Sequence, residues 1–229
     1  GSPKRFKNLL GVTFGTGFGG GIVINGKLHM GDNGAGGDVW VFRHKKHRNC
    51  ITEEGVGVAA IKRIYAEFSG DTVSDLSPKD IYDIAEGTKE GNKEAALKTF
   101  AEMGEESGDT IAHAITLVDG LVVIGGGLTG ASKFFMPALM NELNGTIGRL
   151  NGEIFSRLQM KAYNLDNEQE LVEFLKGNSS LVNVPGTTKM VNYDSAKRIG
   201  IAISKLGASK AIALGAYAFA LNVLDSEEV

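Results

Sequence analysis

GVTFGTGFGGGIVINGKLHMGDNGAGGD, Gly11 to Asp38, carries the architectural signal of the chain. Leu9 to Phe14 is an apolar, β-rich run. Gly15-Thr16-Gly17-Phe18-Gly19-Gly20-Gly21 follows at once, then Ile22-Val23-Ile24, Asn25-Gly26 and Lys27-Leu28-His29-Met30. Asn-Gly between two β-rich runs predicts a tight hairpin, because both central residues of that turn need positive φ. A glycine loop flanked by strands exposes backbone N–H groups that can cradle a phosphate. Gly15, Gly17 and Gly20 also satisfy G-x-G-x-x-G, but the dinucleotide fingerprint requires a helix directly after the loop. A hairpin follows instead, which excludes the Rossmann reading and points to a different class of ATP-binding fold.

Outward from this stretch, a second glycine block repeats the theme. Leu121 to Ile124 reads as a strand, Gly125-Gly126-Gly127 as a loop, and Ser132 to Leu143 as a helix with Pro137 inside it. In α/β sheets ligands collect at the carboxyl ends of strands. Three consecutive glycines exceed what a plain turn needs and permit close approach of an adenosine or ribose. The two blocks predict two walls of one nucleotide cleft.

The two blocks in combination, with Gly31-Asp32-Asn33-Gly34-Ala35-Gly36-Gly37-Asp38 after the first and a closing helix over Ala211 to Leu224, resemble the ROK family of bacterial sugar kinases and sugar-responsive repressors. The resemblance implies an α/β fold, the C-terminal lobe of the actin-like, ribonuclease-H-like ATPase class, with a mixed sheet flanked by helices. It divides the chain into a phosphate hairpin (11–38), a degenerate zinc loop (39–52), an adenosine motif (121–131) and an insertion (165–192). It implies ATP with Mg²⁺ as phosphoryl donor, Gly15, Thr16, Gly17, Gly125, Gly126 and Gly127 as nucleotide contacts, and Asn33, Asp38 and Glu53 as sugar contacts. It places the catalytic aspartate upstream of Gly11, in an N-terminal lobe that this chain lacks, so no catalytic residue is assigned here and the 229 residues alone are expected to be inactive. It also implies homodimers formed through this lobe. The alternative within the family is the sugar-sensing or dimerisation domain of a transcriptional regulator, which would require a helix-turn-helix upstream. Intact glycine blocks favour the kinase, because a sensor need not keep its ATP loops.

Composition narrows the setting. A net charge of −3 offers no basic stripe for nucleic acid. A single cysteine excludes a disulfide framework. No apolar run approaches the ~18 residues that span a bilayer, and the N-terminus has no secretory apolar region. These features read as a cytoplasmic protein.

The loop DVWVFRHKKHRNCIT, residues 38–52, is basic and histidine-rich. His44, His47 and Cys50 recur at i, i+3 and i+6, a set that could hold zinc with an outside ligand. Arg43, Lys45, Lys46 and Arg48 would repel a dication, and solvation of the loop without metal is the favoured reading. The resemblance points the same way, since the family's zinc site uses one histidine and three cysteines and Val41 stands at the histidine position. Asp38 also reads as a turn residue after two glycines, and Glu53 and Glu54 as carboxylates complementing a helix dipole.

The remainder predicts helices over Glu53–Phe68, Pro78–Glu86 with Ser77 as N-cap, and Lys93–Val118. Gly104 and Gly108, four apart on one helix, would admit a neighbouring backbone. His113 reads as a core or boundary histidine. Arg157 to Asn164 alternates as a strand. Residues 165–192 read as polar and irregular around a short helix Glu168–Lys176, and Lys197-Arg198 as a solvated face. Ser209 would cap the last helix, whose apolar faces predict burial on both sides.

Overall fold

A computed structural model of the chain describes residues 6–70 and 75–227. Six strands form one mixed sheet: β1 (Leu9–Phe14), β2 (Phe18–Ile24), β3 (Lys27–His29), β4 (Leu121–Gly125), β7 (Lys161–Asn164) and β10 (Arg198–Ile203), in the order β3-β2-β1-β4-β10-β7. β3, β2 and β1 are an antiparallel meander, and β4, β10 and β7 continue from β1 in parallel. Asn25 and Gly26 turn between β2 and β3 with φ of 52° and 80°, the left-handed pair that this tight turn demands.

Helices α1 (Val58–Ser69), α2 (Pro78–Glu86), α3 (Lys93–Val118) and α4 (Ser132–Leu143) pack over the sheet. Leu10, Val12, Phe14, Val122, Ile124, Ile199 and Ile201 from the strands are buried with Phe100, Met103, Ile111, Ile115, Phe135 and Leu139 from the helices. Ser77 caps α2 as predicted, and Asp80 completes a capping box by accepting the Ser77 N–H at 2.8 Å. α3 and α4 meet where glycine allows it. A Cβ on Gly104 would lie 2.2 Å from the Phe135 carbonyl oxygen, and one on Gly108 2.8 Å from Glu142 Cβ.

Several expectations give way. The helix predicted from Glu53 begins only at Val58, since Gly57, at φ 149°, separates it from a 3₁₀ turn over Thr52–Gly55. The predicted strand over Arg157–Asn164 forms only from Lys161, as β7. Residues 165–192 are not irregular. Helix α5 (Glu168–Lys176) folds over β7, and β8 (Ser179–Asn183) pairs with β9 (Met190–Asp194). A second small hairpin joins β5 (Thr146–Gly148) to β6 (Ile154–Ser156).

The stretch 193–207 holds β10, an internal strand of the sheet, and Arg198 is buried rather than solvated. Its guanidinium donates to Asp194 Oδ2 at 2.6 Å and its Nε to the Phe174 carbonyl at 2.7 Å, and this pairing makes the burial tolerable. The Arg198 bond also holds the Asp194 carboxyl far below the usual range. His113 is exposed on α3, its Nδ1 2.9 Å from the Asp109 carbonyl oxygen.

The largest departure is α6 (Ala208–Glu227). It starts one residue before Ser209, so that residue is no cap, and every residue from Ala208 to Asp225 is exposed where burial was expected. Nothing among the described residues packs on its apolar surface. No helix among them is long and apolar enough to cross a membrane.

Candidate functional site

The two glycine blocks lie side by side because β1 and β4 are adjacent parallel strands, with Thr13 opposite Gly125. Both chains leave the sheet at the same edge. After β1 the turn Gly15–Gly17 closes through a bond from the Gly15 N–H to the Gly17 carbonyl at 3.0 Å. Neither the Thr16 nor the Gly17 N–H has an acceptor among the described residues. Two free amides at a strand end are the elements of an anion cradle. After β4, Gly126 takes φ 99°, and a Cβ there would lie 2.3 Å from the Phe14 carbonyl oxygen. Only glycine lets the second wall approach the first. Gly15 and Gly127 face open space.

The other glycines of the first stretch have a packing role. A Cβ on Gly20 would fall 2.5 Å from the Gly37 carbonyl oxygen, so β2 and the 36–39 segment are in backbone contact. Beside the second wall, a cavity of about 300 Å³ opens between α2, α3 and the 3₁₀ turn Gly127–Ala131, lined by Lys79, Tyr82, Phe100 and Leu128. The Tyr82 ring stands edge-on to Phe134 at 5.6 Å. The cavity is apolar with one phenol and one ammonium at its rim, which suits a flat heteroaromatic ring.

Asp38 and Glu53 stand at the two ends of one small hairpin. The Thr52 N–H donates to the Phe42 carbonyl at 2.7 Å, Arg43 bridges Ile51, and the His44 N–H donates to the Cys50 carbonyl at 2.9 Å. The 3₁₀ turns Val39–Val41 and Thr52–Gly55 pack on each other at its base. Asp38 is exposed, and Asn33 lies exposed in the preceding loop. Glu53 is half-buried. Its Oε2 accepts the Phe18 N–H at 2.8 Å and crowds Gly17, where a Cβ would be 2.4 Å from it, while Oε1 has no hydrogen-bond partner among the described residues. Glu53 thus joins the loop to the glycine turn with one oxygen still available.

The structure does not gather His44, His47 and Cys50 into a metal-binding set. Among the described residues no three His, Cys, Asp or Glu side chains converge on a point. Cys50 is exposed, the His47 ring rests 4.8 Å from that of His44, and the His44 ring is turned inward. The loop is held electrostatically instead. Lys45 Nζ pairs with Glu105 and Glu142, each at 2.7 Å, and Lys46 Nζ with Glu102 at 3.1 Å.

Beneath these pairs sits Glu106, 2% exposed. It accepts the Lys45 N–H (3.1 Å) and the Thr52 hydroxyl (2.8 Å), and its Oε2 is 3.2 Å from His44 Nδ1. Burial is the main cause that pushes its carboxyl up to about 7. His44 is pushed down, by burial first and then by His47. Both shifts favour the neutral forms, and the His44 Nδ1 also accepts the Lys46 and His47 N–H groups at 3.1 and 3.3 Å, which turns the imidazole into the loop's own backbone. Sequence reasoning passed over Glu106, since a glutamate within a helical E-x-x-E-E run reads as solvated. The available signal was charge matching between Glu102, Glu105, Glu106 and the basic loop.

Comparison with known proteins identifies the family and the fold. The profile of the ROK family matches residues 1–164. N-acetyl-D-glucosamine kinase of Haemophilus influenzae is 30% identical over 147 residues, covering 55% of this chain and 45% of that protein. N-acetylmannosamine kinase of Escherichia coli is 32% identical over 154 residues, covering 62% of this chain and 48% of that protein. The crystal structure of a glucokinase from Parabacteroides distasonis superposes with a TM-score of 0.88 at 52% identity, over 96% of this chain and 60% of that one. The chain spans about half the length of these two curated relatives. It belongs to the ROK family and has the mixed-sheet architecture of the actin-like ATPase fold.

Proposed function

We propose that this ROK-family chain is the nucleotide- and sugar-binding C-terminal lobe of an ATP-dependent hexose kinase. The observation that carries the reading is the pair of unpartnered amides at Thr16 and Gly17, beside a second glycine wall seated on Phe14. The amides of the Gly15–Gly17 turn hold phosphate oxygens, Gly125–Gly127 admit the ribose, and the cavity at Tyr82 takes the base. Mg²⁺ supplies charge neutralisation on the transferred phosphates when bound. The free Oε1 of Glu53, with Asp38 and Asn33, accepts hydrogen bonds from sugar hydroxyls, because charged acceptors bind hydroxyls strongly.

In this reading the general base is an aspartate in an N-terminal lobe outside these 229 residues. Two observations support that lobe: the matches cover only 45% and 48% of the two kinases, and α6 presents Ile212, Leu214, Tyr217 and Phe219 with no cover among the described residues. The insertion 165–192 is a structural extension of the sheet edge. The whole protein acts in the cytoplasm as a homodimer.

The test is ADP release by the whole protein with ATP, Mg²⁺ and a panel of hexoses and N-acetylhexosamines, with the 229-residue chain as control. Turnover with one sugar by the whole protein and none by the chain supports the reading. Sugar-dependent thermal stabilisation without turnover would replace it with the sensor domain of a regulator. Within the kinase, D38A and E53A should each raise sugar KM roughly tenfold or more while changing ATP KM little, as expected for loss of charge-assisted hydrogen bonds. Equal effects on both constants would remove these residues from the sugar site.

A further inference from the structure

A buried carboxyl on a core helix is costly unless every partner is in place. Glu106 has them, and each partner lies in one short segment: His44, Lys45 and Thr52. Gly55 belongs to the same arrangement, since a Cβ there would meet Glu106 Cγ at 2.4 Å and His44 Nε2 at 3.1 Å. The segment's attachment to α3 does not need this. Lys45 and Lys46 already pair with Glu102, Glu105 and Glu142 at its rim. What Glu106 adds is a fixed position for Thr52, whose hydroxyl it shares with Thr110 Oγ1 at 2.7 Å. The next residue is Glu53. Its backbone is fixed from behind by Thr52, and its Oε2 from the front by the Phe18 N–H. A side chain held at both ends has one direction left for Oε1.

We propose that Glu106 is a positioning residue of the sugar site: through Thr52 it fixes Glu53, so that Glu53 Oε1 is preset to accept a sugar hydroxyl. The proposal rests on the kinase reading for the identity of the ligand, and on the contacts alone for the positioning. Preorganisation of this kind lowers KM, because the ordering cost is met before the sugar arrives. One buried carboxyl also joins both strands of the loop to α3.

The experiment compares T52V, E106A and E106Q in the whole protein. T52V keeps the shape of residue 52 and removes only the hydroxyl. E106Q keeps the shape of residue 106 and an oxygen that accepts from Thr52 and Lys45, so it serves as the conservative rescue. T52V and E106A should raise sugar KM roughly five- to tenfold, the factor for about one hydrogen bond. ATP KM should move less than about twofold, and E106Q should stay near wild type. Hydrogen exchange at the Phe18 and Lys45 amides should quicken in E106A and not in E106Q. Should E106A fail to fold, T52V carries the same comparison.

Unchanged sugar KM in T52V, or a rise matched by ATP KM, would overturn the proposal. If the wild-type protein phosphorylates no sugar, the kinase reading fails by itself. Exchange at Phe18 then decides the positioning role: faster exchange in E106A or T52V retains it, and wild-type exchange in both removes it.

Discussion

α3 and α6 invert each other. α3 buries fifteen of its 26 residues, and four of those are Thr99, Glu106, Ser107 and Thr110. α6 carries Ile212, Leu214, Tyr217, Phe219 and Leu221, and each is at least 43% exposed. The more polar helix is the inner one. Its polar side chains are inside because each has a partner: Thr99 and Ser107 donate to carbonyls one turn back, and Glu106 and Thr110 meet at Thr52. The apolar helix is outside because nothing among the described residues packs on it. Hydrophobicity says that a surface would gain by being covered, at about 25 cal/mol per Å², but not what covers it.

The comparison breaks most visibly at Phe219. If an N-terminal lobe covers α6, F219A should cost about 3–5 kcal/mol in the whole protein, the usual range for a buried Phe. In the 229-residue chain it should cost less than about 0.5 kcal/mol. Denaturant unfolding of both variants makes the measurement, and equal small costs would leave α6 exposed in the whole protein too.

On α3 the sharpest probe is pH. The Glu106 carboxyl is pushed up to about 7 from 4.5. The folded state therefore keeps a proton that the unfolded state gives up above pH 4.5. Stability from this group is fully present below pH 4.5 and is lost as pH rises through about 7. E106Q does not titrate. The stability of wild type minus that of E106Q should fall by up to about 3 kcal/mol between pH 4.5 and 7, and be flat on either side. A difference that rises with pH below 4.5 and then stays flat to about pH 6.5 would instead show an ionised Glu106 paired with imidazolium.

A smaller effect is expected where α3 meets α4. G104A places a methyl against the Phe135 carbonyl and should destabilise by about 1–3 kcal/mol, read from the midpoint of urea unfolding. No loss would mean that the helices can part without cost. Smallest of all, Leu117 is 86% exposed near the end of α3, so L117K should change stability by less than about 0.5 kcal/mol. A larger loss in the whole protein than in the chain would identify Leu117 as another covered position.

Legibility in the sequence followed the range of the interactions. The Asn25-Gly26 turn, the Ser77 N-cap and the limits of α2 and α3 were readable, because residues within four positions decide them. The glycine blocks were readable as two walls of one cleft, but the strand adjacency of β1 and β4 that sets them side by side was not. β10 escaped because its first residue, Arg198, marks a surface unless Asp194 and the Phe174 carbonyl receive it. The His44-His47-Cys50 spacing suggested a set of side chains that the structure does not bring together, since the His44 ring faces Glu106 and Cys50 is exposed.

By itself, then, the sequence determined the hairpin, the helix limits, the two glycine blocks and the family, since turn dihedrals, caps and the absence of side chains are written residue by residue. Only the tertiary structure decided which polar groups lie inside, that Glu106 holds the loop and that α6 has no cover among the described residues. Burial and pairing belong to the space between distant segments, where a carboxyl 61 residues from Lys45 closes its loop.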